Sequence, residues 1–376
     1  MERDVVIVGA GVAGASLAHF LAEAGQRSVL VVEREAEPAT HASGRSAEAL
    51  VEVELDPIWQ PLLVDSARFF RAPPPTIAPQ TLLNATGVIN LVDQEEATVM
   101  AAALPEIARL GIAAELLDAS AVRARLPYLT EPDFAGALWL PGSGRLAVGA
   151  LMAGYLGSAR AHGVELWLGT EVTAVDTAAG RVCAVETSRG RVDCRLLVAA
   201  AGAWTGELAR MAAATTVPLA PMRRTVIAFD PPPGFATDGM PLLSYDSRGV
   251  YVASEGRGLI ASPMDEVPSP PCDARPDAAG IELALARLGR LAAPLVPRQI
   301  RAARAGLRTF APDRRLVIGE DPARPGFFWL AGQGGTGIET SPAVGRLAAE
   351  MLVRGGIADA DLAAALSPAR FAGTPV

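Results

Sequence analysis

The chain contains no lysine: all 33 of its basic residues are arginine, set against 41 carboxylates in 376 residues. That absence excludes a lysine Schiff base and a phosphate-binding P-loop lysine. Histidine is scarce as well, limited to His19, His41 and His162, which argues against a histidine-held metal and a Ser-His-Asp triad. Cys183, Cys194 and Cys272 form no CxxC pair and offer no metal spacing. Such sparse use suits a reducing cytoplasm, with Cys183 and Cys194 as small buried apolar residues. No apolar run reaches the length of a membrane span, because His19 and Glu23 interrupt the first and Arg210 another. An apolar strand already under way at Val5 leaves no room for a signal peptide. The formal charge of −8 is not offset by any basic stripe, so nucleic acid is not an expected partner.

Half of the residues are apolar and a fifth are charged, the balance of a globular chain. Its length suits two interleaved domains better than one core. Residues 5–33, VVIVGAGVAGASLAHFLAEAGQRSVLVVE, carry the strongest local pattern. Val5 to Val8 is an uncharged β-branched run, as a strand covered on both faces requires. Gly9, Gly11 and Gly14 follow in dinucleotide spacing: a tight turn, a close approach to a pyrophosphate, and close helix–strand packing. A helix from Val12 to Ala24 points its free N–H groups at that phosphate, and Gly25 stops it. Val29 to Val32 returns as a parallel strand, and Glu33 ends it where an acid can accept both ribose hydroxyls.

Further along, helices are expected at 58–70, 97–111 and 148–162, with a short one after Asp118 as its N-cap. LLNATGVINLV reads as a strand, and four strand-like runs fill 164–202, the last ending in Gly202 before a helix at Trp204. From Pro218 to about Thr309 strands dominate again. A second glycine turn, Gly332 to Gly337, then separates strand FFWLA from a long helix. A nicotinamide enzyme needs only the first turn. A second helix N-terminus with free N–H groups suits the anionic end of a reduced isoalloxazine.

Together GAGVAGAS, Glu33-Arg34, HASGRSA (41–47), VAAAGAW (198–204), PMRRT (221–225), Tyr251, AGLRTF (305–310) and GQGGTGIETSP are highly specific. They resemble the D-amino acid oxidase superfamily of flavoproteins over nearly the whole length, and within it most closely the FAD-dependent D-arginine dehydrogenases. The resemblance implies an α/β fold: a Rossmann-like FAD-binding domain (1–78, 142–217 and 312–376) and a mainly antiparallel substrate domain (79–141 and 218–311). It implies noncovalent FAD, since no cysteine stands at a flavin-linking position. Gly9, Gly11, Gly14, Glu33 and Arg34 would hold the nucleotide. His41 and Arg45 would run under the phosphate and ring, which Ser46 and Ala47 line. Val172, Gly202 and Trp204 would complete the wall, with Gly306, Gly334, Gly337 and Ile338 nearer the flavin. Arg224 and Arg308 match the two arginines that hold a substrate carboxylate, and Tyr251 the tyrosine that supports it. Gly335 and Thr336 would meet the substrate amine.

Three departures bear on the side chain accepted. Val88 stands where the D-arginine enzymes place an acid, Ala49 where they have a lid histidine, and Glu54 where they have a lid tyrosine. Glu54 is the candidate to accept a cationic side chain, although Glu48, Glu52 and Glu54 also read as a solvated face. The implied reaction is oxidation of the Cα–N bond of a D-amino acid by hydride transfer to flavin. A secondary amine, or a 2-hydroxy acid on the same fold, stays open. So does the electron acceptor, whether oxygen, a quinone or another carrier. With no lysine, the oxygen-activating lysine of sarcosine-type oxidases has no counterpart. Acid precipitation is expected to leave free FAD in the supernatant; flavin remaining with the pellet would overturn noncovalent binding and turn attention to His41.

Overall fold

The computed structural model describes residues 1–26 and 28–373. The opening strand Glu2–Val8 lies between two parallel neighbours, Val29–Val32 and Gly190–Ala199. Its apolar residues alternate between two cores: Val5 and Ile7 join one, Val6 the other. Val29–Val32 splits in the same way, which is why both strands are apolar at every position rather than every second one. The helix Val12–Glu23 starts where the glycine spacing places it and ends at Ala24, with Gly25 at φ +86°. Gly14 brings it against the strand: a Cβ there would lie 1.9 Å from the Gly9 carbonyl oxygen.

Segments distant in sequence complete this eight-stranded sheet. Gly190–Ala199 is the shared strand. Its first half pairs antiparallel with Arg181–Thr187, and its second half pairs in parallel with Phe327–Ala331. Val317–Glu320 adds to that edge, and Glu165–Trp167 to the edge beyond Val29–Val32. Helices Val148–Ala161 and Ser341–Arg354 pack beside the first helix, the latter closely enough that a Cβ on Gly345 would meet the Ser16 side chain.

A nine-stranded sheet is built from 88–140 and 220–310. All its pairings are antiparallel except Leu242–Tyr245 against Val88–Val92. Its longest ladder joins Ala220–Phe229 to Ile300–Phe310 along nearly their whole lengths. A small ribbon of Ala49–Leu50, Gly144–Leu146 and Leu83–Asn84 lies where the chain passes between the two sheets.

Two elements differ from the sequence expectation. LLNATGVINLV is broken at Gly87, φ +87°, into Leu83–Asn84 and Val88–Val92, which belong to different sheets. Within the strand-rich 218–309 region sits the helix Ala278–Ala292, capped by Asp277 accepting the Gly280 N–H at 2.8 Å. Among the described residues no helix is long and apolar enough to cross a membrane. Gly14→Ala is expected to cost at least about 1–3 kcal/mol, because two backbone elements would have to part. Thermal denaturation and the flavin-to-protein absorbance ratio measure it; a variant with normal melting and full flavin would contradict this packing.

Candidate active site

The first glycine turn is fastened from beneath by its own acid. Glu33 Oε2 accepts the Ala10 N–H at 2.7 Å, and Oε1 accepts the Glu35 N–H at 2.9 Å. Gly9, at φ +108°, crosses so close to the neighbouring strand that a Cβ would lie 2.5 Å from the Ala200 carbonyl oxygen. At Gly11 the lack of a side chain leaves room for Ser43, whose Oγ accepts the Val12 N–H at 2.9 Å. Ser43 thus occupies one free N–H of the helix start, a role the sequence reading covered only as part of HASGRSA. Arg34 stacks over the Trp204 ring at 4.1 Å, and the His41 ring lies 4.7 Å from the same indole. His41 Nε2 meets Glu35 Oε1 at 2.8 Å, and that hydrogen bond is the main cause of the lowered Glu35 pKa.

From this turn one continuous cleft runs past Ser46 and Ala47 to Gly334, Gly335, Arg224, Tyr251 and Arg308. The carbonyls of Ser46 and Ala47 are held from behind by Arg304, at 3.4 Å, and Arg145. Val172, Gly202, Gly306, Gly337 and Ile338 also line it. Gly334 donates its N–H to Thr309 O at 2.9 Å, which fastens the second glycine turn to the strand carrying Arg308.

The strand register explains why two arginines converge. Arg224 stands opposite Gly306 and Met222 opposite Arg308, so both arginines project from one face of the Ala220–Phe229/Ile300–Phe310 ladder. A Cβ at Gly306 would come within 3.1 Å of Arg308 Nη1 and crowd it against Ala42 and Arg45. Arg308 is only 7% exposed, yet among the described residues it has no carboxylate partner. It donates instead to the carbonyls of Ala42, at 3.1 Å, and Arg45, at 3.0 Å. Burial, then the adjacent Arg224 charge, lowers its proton affinity. Arg224 is held at 2.7 Å by Glu266, which also binds Arg314, and its Nε is buried without a partner. Tyr251 is buried opposite Ser262; burial raises its phenol pKa, against the pull of Arg308 and Arg224.

Three expected site residues stand apart from the cleft wall. Gly14 lies under the helix and serves packing. Thr336 turns inward, its Oγ1 donating to Gln333 O at 3.1 Å. Glu54 is a correction: it is exposed and outside the cleft, its carboxylate accepting the Leu55 N–H at 2.8 Å within its own turn. The solvated-face alternative also fails for its neighbours. Glu52 is buried and paired with Arg71 at 2.6 Å, while Glu48 faces the cleft beside Arg145, its pKa raised by burial. Val88 is fully buried in an apolar cluster with Tyr251, against which Ala47, Ala49 and Val51 pack. Gln333 and Glu339 also line the cleft; in the sequence only their place in the GQGGTGIETSP segment marks them.

An elongated dinucleotide fits this cleft: a helix start and a carboxylate at one end, a second glycine turn at the other, and no bulky side chain along either turn. A sequence profile of the FAD dependent oxidoreductase family, DAO, matches residues 4–351. The glycine oxidase of Geobacillus kaustophilus is 27% identical over 368 residues, covering 93% of each chain. The mitochondrial pyruvate dehydrogenase phosphatase regulatory subunit of Mus musculus is 23% identical over 94% of this chain, which spans 42% of that longer protein. The crystal structure of L-proline dehydrogenase from P. horikoshii superposes with a TM-score of 0.87, at 21% identity, over 99% of this chain and 98% of that one. The cleft and the family profile agree, and the chain belongs to the DAO family of FAD-dependent oxidoreductases.

Proposed function

We propose that the enzyme oxidises the Cα–N bond of a D-amino acid or a related amino acid to an imino acid, which water hydrolyses to a 2-oxo acid. The observation that carries this reading is Arg308: a buried guanidinium without a carboxylate, beside Arg224, on the wall of the FAD cleft. A guanidinium offers two parallel donors matched to a carboxylate, and such charge-assisted pairs are strong where water is excluded. Tyr251 adds a hydroxyl on the same wall. Glu266 fixes Arg224 from outside the cleft, so that its remaining donors keep one direction. Clamped in this way, the substrate presents its α-hydrogen to the ring side of the cleft, and positioning is the chain's main contribution. Bound FAD supplies the hydride acceptor. The likeness to glycine oxidase supports an amino acid substrate, and a secondary amine would use the same clamp. A 2-hydroxy acid would use the same clamp and would need a base placed at its hydroxyl. We place the enzyme in the cytoplasm, in keeping with its cysteine usage.

Arg308→Ala is expected to retain FAD while losing about 2–5 kcal/mol of substrate binding, seen as a rise of at least about thirtyfold in the concentration that half-saturates flavin reduction. Wild-type reduction by carboxylate-free amines as fast as by amino acids would defeat the clamp.

The side-chain pocket gives a second test. Ala49 and Val51 line the cleft on that side and pack against the cluster that holds the buried Val88, while Glu54 is exposed and outside the cleft lining. A guanidinium there would forgo a charge-assisted bond worth about 1.5–3 kcal/mol. D-leucine is therefore expected to match or exceed D-arginine in kcat/KM, with Glu54→Gln leaving the ratio unchanged. A strong D-arginine preference that vanishes in Glu54→Gln would instead establish Glu54 as the reader.

A further inference from the structure

Glu339 lies four residues beyond Gly335, in a turn segment closed by the Thr340 N–H donating to Thr336 O at 3.1 Å. Residues four apart in such a turn share a face, and the Gly335 face is the one that meets Arg224: a Cβ there would lie 3.4 Å from Arg224 Nη1. Glu339 lines the same cleft as Arg224, Arg308 and Tyr251. Its Oε2 accepts the Val51 N–H at 2.9 Å, which joins the second glycine turn to the segment following strand Ala49–Leu50. Among the described residues it has no cationic partner within ion-pair distance, and its other oxygen has no donor.

The charges around it come from separate elements. Glu54 belongs to the loop after Ala49–Leu50, and Asp246 follows the strand Leu242–Tyr245. Burial pushes the Glu339 carboxyl up to about 8, against the Val51 N–H, which lowers it, and the two carboxylates add smaller contributions. The cleft therefore carries two guanidinium groups, Arg224 and Arg308, and a carboxyl, Glu339, with which neither of them is paired. An ammonium group complements the second half of that pattern as a carboxylate complements the first.

We infer that Glu339 receives the substrate nitrogen and takes up one of its protons, a role that rests on the amino acid reading above. An N–H bond of the ammonium breaks, its electron pair stays on nitrogen, and the proton passes to Glu339. The neutral amine then uses that pair to form the C=N bond as the Cα–H bond gives up its hydride, with FAD as the oxidant. The Val51 N–H keeps the carboxyl oriented in both protonation states.

Wild-type holoenzyme and Glu339→Gln are compared by two measurements from pH 6 to 10. The first is anaerobic flavin reduction by D-leucine. The second is binding of its deaminated analogue, 4-methylpentanoate, read from the flavin absorbance shift. In wild type, the second-order rate of reduction is expected to rise through a group near 8, and carboxylate affinity to fall through the same group as Glu339 becomes anionic. In Glu339→Gln, reduction at pH 7 should drop tenfold or more and follow only the higher ionisation of the free amine. Carboxylate binding at pH 7 should stay within twofold of wild type and lose its pH dependence, which also shows that the variant is folded. Identical pH profiles in the two proteins, or a flat carboxylate affinity in wild type, would overturn the role of Glu339 alone. Failure of every amino acid to reduce wild-type flavin would overturn the reading beneath it as well.

Discussion

The cleft depends on how Arg308 is kept charged without an acid. Burying an uncompensated guanidinium is costly, and its hydrogens must be accepted by something. Here the acceptors are the carbonyls of Ala42 and Arg45, on the loop that follows the nucleotide strand. Arg308 itself sits on the longest ladder of the other sheet. One side chain thus ties the second sheet to the loop of the first across the cleft. Carbonyls neutralise little charge, so the site retains an unmet demand for an anion. An acid in their place would have made a structural ion pair and removed the reason for a carboxylate to enter.

The same constraint accounts for small residues at separated places. Gly306 is bare because Arg308 folds back over it toward Ala42 and Arg45. Gly334 reaches Thr309, so the second glycine turn and the arginine strand are set relative to each other by one backbone hydrogen bond. Arg45 extends the same contact, donating to Asp273 at 2.6 Å and to the carbonyls of Ala274 and Ala305. The loop 41–47 therefore lines the cleft on one side and holds the second sheet on the other.

Much of this was legible in the residue pattern. Val29–Val32 falls at its expected bounds because an uninterrupted apolar, mostly β-branched run between Gly25 and Glu33 admits few alternatives. The two glycine turns and Glu33 are legible as motifs, since each needs a particular residue type at a particular spacing, whereas the two arginines are reached through the family resemblance. The helix Ala278–Ala292 was hidden by strands on either side, although Asp277 and the apolar spacing of Ala284, Leu288 and Leu291 mark it. Of the two readings open for Glu54, the solvated one matches its exposed side chain, since an alignment position gives the neighbourhood of a residue and not the direction of its side chain; its carboxylate closes its own turn. Glu339 escaped notice for a related reason. Its importance lies in being unpaired inside a cleft, which only the assembled neighbours reveal.

The central claim is that the Arg224–Arg308 wall exists to hold an amino acid against the flavin. Anaerobic mixing of the holoenzyme with D-amino acids, L-amino acids, 2-hydroxy acids and N-alkyl glycines, followed by flavin absorbance, tests it most directly. Bleaching by amino acids, D-enantiomers foremost, is the expected result. Bleaching by 2-hydroxy acids with none by any amino acid or N-alkyl glycine would contradict it.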